Sequence, residues 1–373
     1  MKKYKIVTAR MLIAISLVAF GGCAGTDPRP EPSVSTSELT HVSESPPISQ
    51  SPTVVTPTMP ETPSTTESQK KTIYYITYAI SSAHADTIAP GVHQASKDLN
   101  CELIYLVTPD ASPERRVEIQ TQFLEDAVAS GADAIIIRAL YRDAMAEPVS
   151  RAYQAGIPIV VVDVSVVTED FDTCLIIDNF NAGGAAAAEM LRKLRNADLS
   201  EEEPAEIAVQ AAMVEPRTIR DRLDGFKAYW DENAPLQWVV LWDDIKVDEG
   251  YYDRAIENGR EFLANYPNLK GVFAPNELST EGFATVLKES NRTDITLVGF
   301  GLHNDVHELV RNEEYDISTM LYPHYMMGYD ALAIALELAS GGTVDEKTVD
   351  MGVYAVDIGN IDSPEVQLWI NGA

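Results

Sequence analysis

The sequence predicts an α/β protein of two similar lobes, each a doubly wound parallel sheet, joined by a three-strand hinge. Three observations predict it. From Thr72 onward, short apolar runs alternate with amphipathic stretches, the pattern of βαβ units and parallel sheets. The pattern restarts near Asn181, so the chain runs through it twice. The part that carries it, Lys71 to Ala373, has roughly 300 residues, large for one core and natural for two.

In the first run, Thr72–Ala79 reads as a strand, Pro90–Leu99 as a helix and Cys101–Val107 as a strand. Ser112-Pro113-Glu114 supplies an N-cap followed by proline at the first helical position. Val117, Leu124, Ala127 and Val128 then share one face, and Gly131 ends that helix. Ala134–Ile137 is a strand, Arg142–Ala155 a helix stopped by Gly156, and Pro158–Val162 a β-branched strand covered on both faces. Thr173–Ile177 closes the run.

The second run opens on the Ala-rich helix Asn181–Arg195. Strands Ile207–Gln210, Val239–Trp242, Val272–Ala274 and Thr296–Phe300 follow. Helices Thr218–Trp230, Glu249–Tyr266, Ser279–Glu289 and Asn304–Arg311 lie between or after them. Strand Ile317–Met320, helix Met326–Ala339 and a last strand, Val349–Val356, complete the chain.

The N-terminus sets the expected compartment. Lys2, Lys3, Lys5 and Arg10 precede an apolar stretch, Met11 to Gly22, too short to span a bilayer. Residues 1–22 read as a signal peptide. The ending Gly21-Gly22-Cys23 resembles a bacterial lipobox, with Phe20 in place of the usual Leu, and makes Cys23 the expected lipidation site. The 46 residues Ala24 to Gln69 include 9 Pro and 18 Ser or Thr. They hold too little apolar surface to offset their ordering entropy, so 23–70 is expected to be a lipidated cysteine and a disordered tether. Without the signal the formal charge falls from −29 to −33, which argues against nucleic acid and anionic lipid as partners. Cys101 and Cys174 are expected on opposite edges of one sheet, as buried free thiols.

Six motifs occur in order. They are Gly131-Ala132-Asp133-Ala134-Ile135-Ile136-Ile137, Ala155-Gly156-Ile157-Pro158-Ile159-Val160, Asp178-Asn179-Phe180-Asn181-Ala182-Gly183-Gly184, Arg220-Asp221-Arg222-Leu223-Asp224-Gly225-Phe226, Val272-Phe273-Ala274-Pro275-Asn276-Glu277 and Leu297-Val298-Gly299-Phe300. Together they resemble the periplasmic sugar-binding proteins of the ribose and galactose type, whose fold is shared with LacI-type repressors. The resemblance covers about Thr72 to Ile358. It implies a type I periplasmic binding fold with an N-lobe of about 71–179 plus 323–349 and a C-lobe of 180–322 plus 350–373. The hinge then falls at Asp178, Asn179 and Tyr322, and near Val349. An export signal and the lack of a helix-turn-helix exclude the repressor branch.

In open α/β sheets ligands bind beyond the carboxyl ends of the strands. Those ends supply Ser82, His84, Asp86, Arg138 and Asp163 from the N-lobe, and Arg220, Trp242, Asp243, Asn276 and His303 from the C-lobe. Carboxylates accept from hydroxyls while Arg and Asn donate, and a Trp face suits a sugar ring. The resemblance supports Asp163, Arg220 and Asn276 directly. Elsewhere this sequence departs from the ribose type: Arg138 stands for Asn, Val164 for Arg, Gly301 for Asp, Leu321 or Tyr322 for Gln, and His84-Ala85 for a Phe pair. The expected ligand is therefore a small polar molecule, a monosaccharide or related polyol other than ribose. Each residue also has a packing role open to it: Asp163 as a loop cap, Arg220 as a partner of Asp224, Asn276 as a helix N-cap, Arg138 in a rim ion pair.

Metal and enzyme chemistry are not expected. His303 and His307 stand four apart on a helix with no third ligand nearby in sequence. There is no Walker loop, G-x-G-x-x-G, G-x-S-x-G or HExxH, and Asp243 and Asp244 are adjacent and so point apart on a strand. No cofactor is implied. The expected role is an exported, lipid-anchored solute-binding protein delivering its ligand to an ABC permease. The alternative is a receptor of the same fold that signals to a membrane sensor.

Overall fold

The computed structural model describes residues 70–78, 86–197, 199–302 and 304–371. The signal peptide, Cys23, the tether, Ser82, His84 and His303 lie outside the described residues.

The first lobe is built from β1 (Thr72–Tyr78), α1 (Ala89–Asp98), β2 (Glu102–Thr108), α2 (Pro113–Ala129), β3 (Ala134–Ile137), α3 (Ala146–Gln154), β4 (Ile159–Asp163) and β5 (Thr173–Ile176). The second continues with α4 (Asn179–Asn196), β6 (Ala205–Ala211), α5 (Arg217–Asn233), β7 (Trp238–Val240), β8 (Lys246–Val247), α6 (Tyr252–Asn265), β9 (Leu269–Ala274), α7 (Glu277–Ser290), β10 (Thr296–Phe300), α8 (Asn304–Val310) and β11 (Ile317–Leu321). The chain then returns through α9 (His324–Ala339) and β12 (Thr348–Asp350), and ends in β13 (Tyr354–Val356) and α10 (Pro364–Asn371).

The two sheets repeat one topology. The first orders its strands β2-β1-β3-β4-β5-β12 and the second β7-β6-β9-β10-β11-β13, with β8 beside β6. All pairings are parallel except β11 with β13. Strand order reverses between β1 and β3 in one sheet and between β6 and β9 in the other, which opens a crevice at their carboxyl ends. Every residue of β3 is buried, because helices cover both faces.

Local chemistry sets the element ends. Ser112 accepts from Arg115 N at 3.4 Å and Pro113 opens α2, as expected. Asp178 caps α4, accepting from Phe180 N at 2.9 Å and Asn181 N at 3.1 Å. Helices α4 and α5 pack nearly backbone to backbone. A Cβ on Gly183 would lie 2.0 Å from Arg222 O, and one on Gly225 would lie 1.9 Å from Phe180 O. Only glycine permits that approach, and it brings the α5 side chain at 222 beside the start of α4.

The structure corrects several sequence readings. Val349–Val356 is two strands, since β12 joins the first sheet and β13 the second, and the chain crosses between sheets over 351–353. Asp350 pairs with Ile176 in the first sheet. Cys174 is not on an edge strand, because β12 flanks β5; it and Cys101 are free and buried. Trp242 begins a short 3-10 turn, Trp242–Asp244, rather than ending a strand. Helices α3 and α6 start later than their apolar patterns suggest, at Ala146 and Tyr252. Among the described residues no helix is long and apolar enough to cross a membrane.

Candidate ligand-binding site

At the first sheet's switch point, β1, β3 and β4 end in Tyr78, Ile137 and Asp163. Arg138 follows β3 directly and is only 6% exposed. Its Nε and Nη2 donate to Asp163 Oδ2 at 2.7 and 2.6 Å. Its Nη1 lies 3.8 Å from Asp86 Oδ1 and, although buried, makes no hydrogen bond. The Tyr78 ring lies 5.0 Å from the guanidinium carbon. Burial disfavours the charge of Arg138, but Asp163, followed by Tyr78 and Asp86, outweighs it and holds the guanidinium above its ordinary value.

Asp163 reaches this pairing from a left-handed backbone, φ 69°. That conformation costs a non-glycine residue of the order of 1 kcal/mol, and Asp tolerates it better than most. Asp86 is committed to its own lobe. Its Oδ1 accepts from Ile88 N at 3.0 Å and Ala89 N at 3.3 Å at the start of α1, and its Oδ2 from Tyr75 Oη at 2.9 Å. It orients Arg138 and α1 rather than presenting a vacant carboxylate.

Helix α5 carries two arginines, Arg220 and Arg222, which face differently. Residues two apart on a helix point about 200° apart. Arg222 is 8% exposed. Its Nε donates to Asn179 Oδ1 at 2.9 Å and its Nη1 to Pro275 O at 2.7 Å. Its guanidinium lies 4.4 Å from the Phe300 ring centroid and 5.3 Å from that of Tyr322. It makes no ion pair among the described residues, and burial lowers its pKa against the opposing pull of Tyr322.

Arg220 is exposed. It lines a groove of about 400 Å³ with Leu223, Asp224, Lys227, Trp242 and Ile245, and makes no ion pair with Asp224. Trp242 serves that groove and the core: it meets Phe226 edge-on at 6.2 Å, with Lys227 Nζ 5.7 Å from its ring. Asn276 stands just after β9 at the second switch point. Its Oδ1 accepts from Ala212 N and Ser279 Oγ, both at 2.9 Å, which fixes the side chain. Its side chain makes no capping bond to α7.

A stack of rings lies where the chain passes from β11 to α9. Phe300 and Tyr322 have centroids 6.0 Å apart, and Tyr322 and His324 5.3 Å. His324 Nδ1 is 2.7 Å from Thr87 Oγ1. Burial lowers the pKa of His324, with Asp163 opposing and Arg138 assisting. Tyr322 is pushed up to about 12 by burial, against Arg222 and with the help of Glu277 and Asp163.

The sequence reading did not single out Arg222 and His324, which the structure sets against Tyr322. Arg222 was recoverable by counting Arg-x-x-Gly-Phe back from Gly225-Phe226. Nothing in the local sequence marks His324, which the fold brings in at the start of α9.

With this geometry in place, the chain can be compared with known proteins. A sequence profile of the periplasmic binding protein domain matches residues 73–343. The chain belongs to that family. Among curated relatives, the ribose import binding protein of Bacillus subtilis is 24% identical over 263 residues, 70% of this chain and 79% of its own. The D-apiose import binding protein of Paraburkholderia graminis is 25% identical over 288 residues, 75% and 85% of the two chains. A carbohydrate transporter solute-binding protein from Agrobacterium radiobacter, solved with D-arabinose, superposes with a TM-score of 0.60 at 24% identity, covering 82% of this chain and 100% of that one. Its likeness shows the two-lobed fold. As a periplasmic binding protein, the chain is a binder rather than an enzyme and belongs outside the cytoplasm.

Proposed function

We propose that this periplasmic binding protein captures a small neutral polyhydroxylated ligand, a monosaccharide or polyol, between its lobes and hands it to an ABC permease. The observation that carries this reading is a buried arginine from each lobe beside the Tyr322–His324 ring stack. Arg138 is held by Asp163 on the N-lobe, and Arg222 is laid against Phe300 and Tyr322 on the C-lobe side. Hydroxyls both donate and accept, so one sugar can satisfy carboxylate and guanidinium together, while the rings cover its apolar face. Asp163, Arg138 and Asn276 remain contact candidates, and Arg222 replaces Arg220. Trp242 and Asp86 are assigned to packing and orientation. The relatives named for ribose, apiose and arabinose support a sugar as the ligand.

Export with lipidation at Cys23 belongs to the same proposal, as do lobes divided at Asp178, Asn179, Tyr322 and the 351–353 crossing. The tether would then let the lobes work away from the membrane. A thermal-shift series with pentoses, hexoses and polyols tests the ligand class. A ligand at 100 times its dissociation constant stabilises by about 2.7 kcal/mol. A series in which no sugar or polyol raises the melting temperature, while another solute class does, would sink the sugar reading.

A further inference from the structure

The second switch point has a polar floor. Strands β6 and β9 lie side by side there, and the order of the sheet reverses between them. Asn276 spans that gap. It stands just after β9, yet its Oδ1 accepts at 2.9 Å from the N of Ala212, the first residue after β6. A residue in this place before a helix ordinarily turns its oxygen onto the helix's own N–H groups; Asn276 does not. Behind it lie two fully buried side chains, Ser279 and Asp248. Ser279 Oγ is 2.9 Å from Asn276 Oδ1 and 2.5 Å from Asp248 Oδ2. Asp248 divides its carboxylate, with Oδ1 accepting from Gly250 N at 2.9 Å in its own turn and Oδ2 left for Ser279. The backbone fixes both residues: Asp248 N donates to Ala211 O at 3.0 Å, and Ser279 O accepts from Gln210 Nε2 at 3.4 Å.

We propose that Ser279 and Asp248 are positioning residues for ligand capture, holding Asn276 so that its Nδ2 is the donor the C-lobe offers to a sugar oxygen. This rests on the sugar-capture reading above. Ala212 decides which way the amide points, because a backbone N–H can only donate and so faces Oδ1. Ser279 lies on the same side, so Oδ1 is turned into the protein and Nδ2 away from it. Asn276 is half-buried, and its Nδ2 makes no hydrogen bond among the described residues. Rotating the amide to present its oxygen would break the bonds to both Ala212 and Ser279. The ligand atom opposite Asn276 must therefore accept: a hydroxyl or ring oxygen fits, and an ammonium group does not. Asp248 acts through Ser279, and Ser279 through Asn276; neither touches the ligand. Asp248 makes no ion pair among the described residues, and a polar group is costly to bury in this way. Packing alone would be met as well by apolar side chains of the same shape at 248 and 279.

The test uses the full chain and four probes, D-ribose, D-arabinose, D-xylose and xylitol, by titration calorimetry with melting temperatures taken without sugar. For whichever probe the wild type binds, Asn276→Ala should lose about tenfold in affinity. Ser279→Ala should lose about fivefold on its own, but no more than about twofold in the Asn276→Ala background, because it acts through that side chain. Damage to the fold would lower the melting temperature and carry over undiminished into that background. Asp248→Ala should match Ser279→Ala, and Asp248→Asn, whose amide can again bond Ser279 Oγ, should recover most of the loss. Should Asp248→Ala fail to fold, the cycle of Ser279→Ala with Asn276→Ala decides alone. Additive losses in that cycle overturn the proposal, as does wild-type affinity in Ser279→Ala or no recovery in Asp248→Asn. Binding of none of the four probes overturns the sugar reading and this inference with it; binding that is indifferent to Asn276→Ala overturns this inference alone.

Discussion

The rings of Tyr322 and His324 stack 5.3 Å apart at 21°, at the point where the chain leaves the C-lobe strand β11 for the N-lobe helix α9. This crossing is thus part of the candidate site. His324 has Thr87, Asp163, Arg138 and Asp86 around it from the N-lobe. Its folded pKa lies below the ordinary 6.5, so the unfolded chain takes up the proton first. The stabilisation this gives is fully present above pH 6.5 and is lost as pH falls through the lower folded value. A melting-temperature series from pH 8 to pH 5 should show a decline below about pH 6.5, and His324→Gln should make that decline shallower. Identical pH profiles would refute a role for His324 in it.

A second prediction separates the two arginines of α5. Arg222→Met should weaken sugar binding by about 1.5–3 kcal/mol, roughly 10- to 150-fold, as for loss of a charge-assisted hydrogen bond. Arg220→Met should leave affinity unchanged, since Arg220 lines the other groove. Calorimetric titration of both variants decides it; equal losses would mean that the groove beside Trp242 also holds ligand.

That contrast shows where the sequence stops being legible. Both lobes could be read from period and punctuation, because β3 and β4 are buried on both faces and betray themselves as unbroken aliphatic runs. Arg138 and Asp163 were equally visible, each at the end of such a run. Arg220 and Arg222 stand two apart on α5 and so face differently, and only the α4–α5 contact through Gly183 and Gly225 decides which lies against the start of α4. His324 carries no local signature: it reaches the ring stack from the start of α9, just after the chain crosses between lobes, and only tertiary structure states that. The split of Val349–Val356 was hidden for a similar reason: its two halves pair in different sheets.

The Arg138–Asp163 pair sets up a third prediction. Removing Asp163 strands a buried guanidinium, which costs about 3–5 kcal/mol when a buried pair is broken; Asp86, 3.8 Å away, offsets part of this. Asp163→Ala should therefore lower the ligand-free stability by roughly 2–4 kcal/mol as well as abolish tight binding. Arg138→Met with Asp163→Ala should regain most of the stability but none of the affinity. Denaturant midpoints for the two singles and the double give the coupling; simple additivity would mean the pair is not energetically joined.

Thiol counting tests both the fold and the anchor. Cys101 and Cys174 are free and buried, and burial pushes the Cys174 thiol up to about 12, so neither should react quickly in the native protein. In denaturant the membrane-extracted mature chain should show two thiols if Cys23 is blocked as a thioether. Three would contradict lipidation, and none would contradict the free state of Cys101 and Cys174.

Closure is the last consequence. The groups proposed to bind the ligand come from the N-lobe (Arg138, Asp163), the C-lobe (Arg222, Asn276) and the hinge (Tyr322). In an open cleft these groups face water, where each bond to a hydroxyl exchanges for one to solvent and gains little. Bringing the lobes together expels that water and strengthens each interaction. A ligand shifts the lobes only by the contacts it adds in the closed state. Loss of either wall should therefore remove closure together with affinity. Small-angle scattering should show the radius of gyration of the wild type falling on addition of a saturating sugar. At the same sugar concentration, Arg222→Met and Asp163→Ala should each stay at the ligand-free value, although they lie on opposite lobes. Arg220→Met should contract like the wild type. A radius unchanged by sugar in a wild type that binds it would place the ligand outside the cleft. Contraction in Arg222→Met equal to that of the wild type would remove that residue from the closing set.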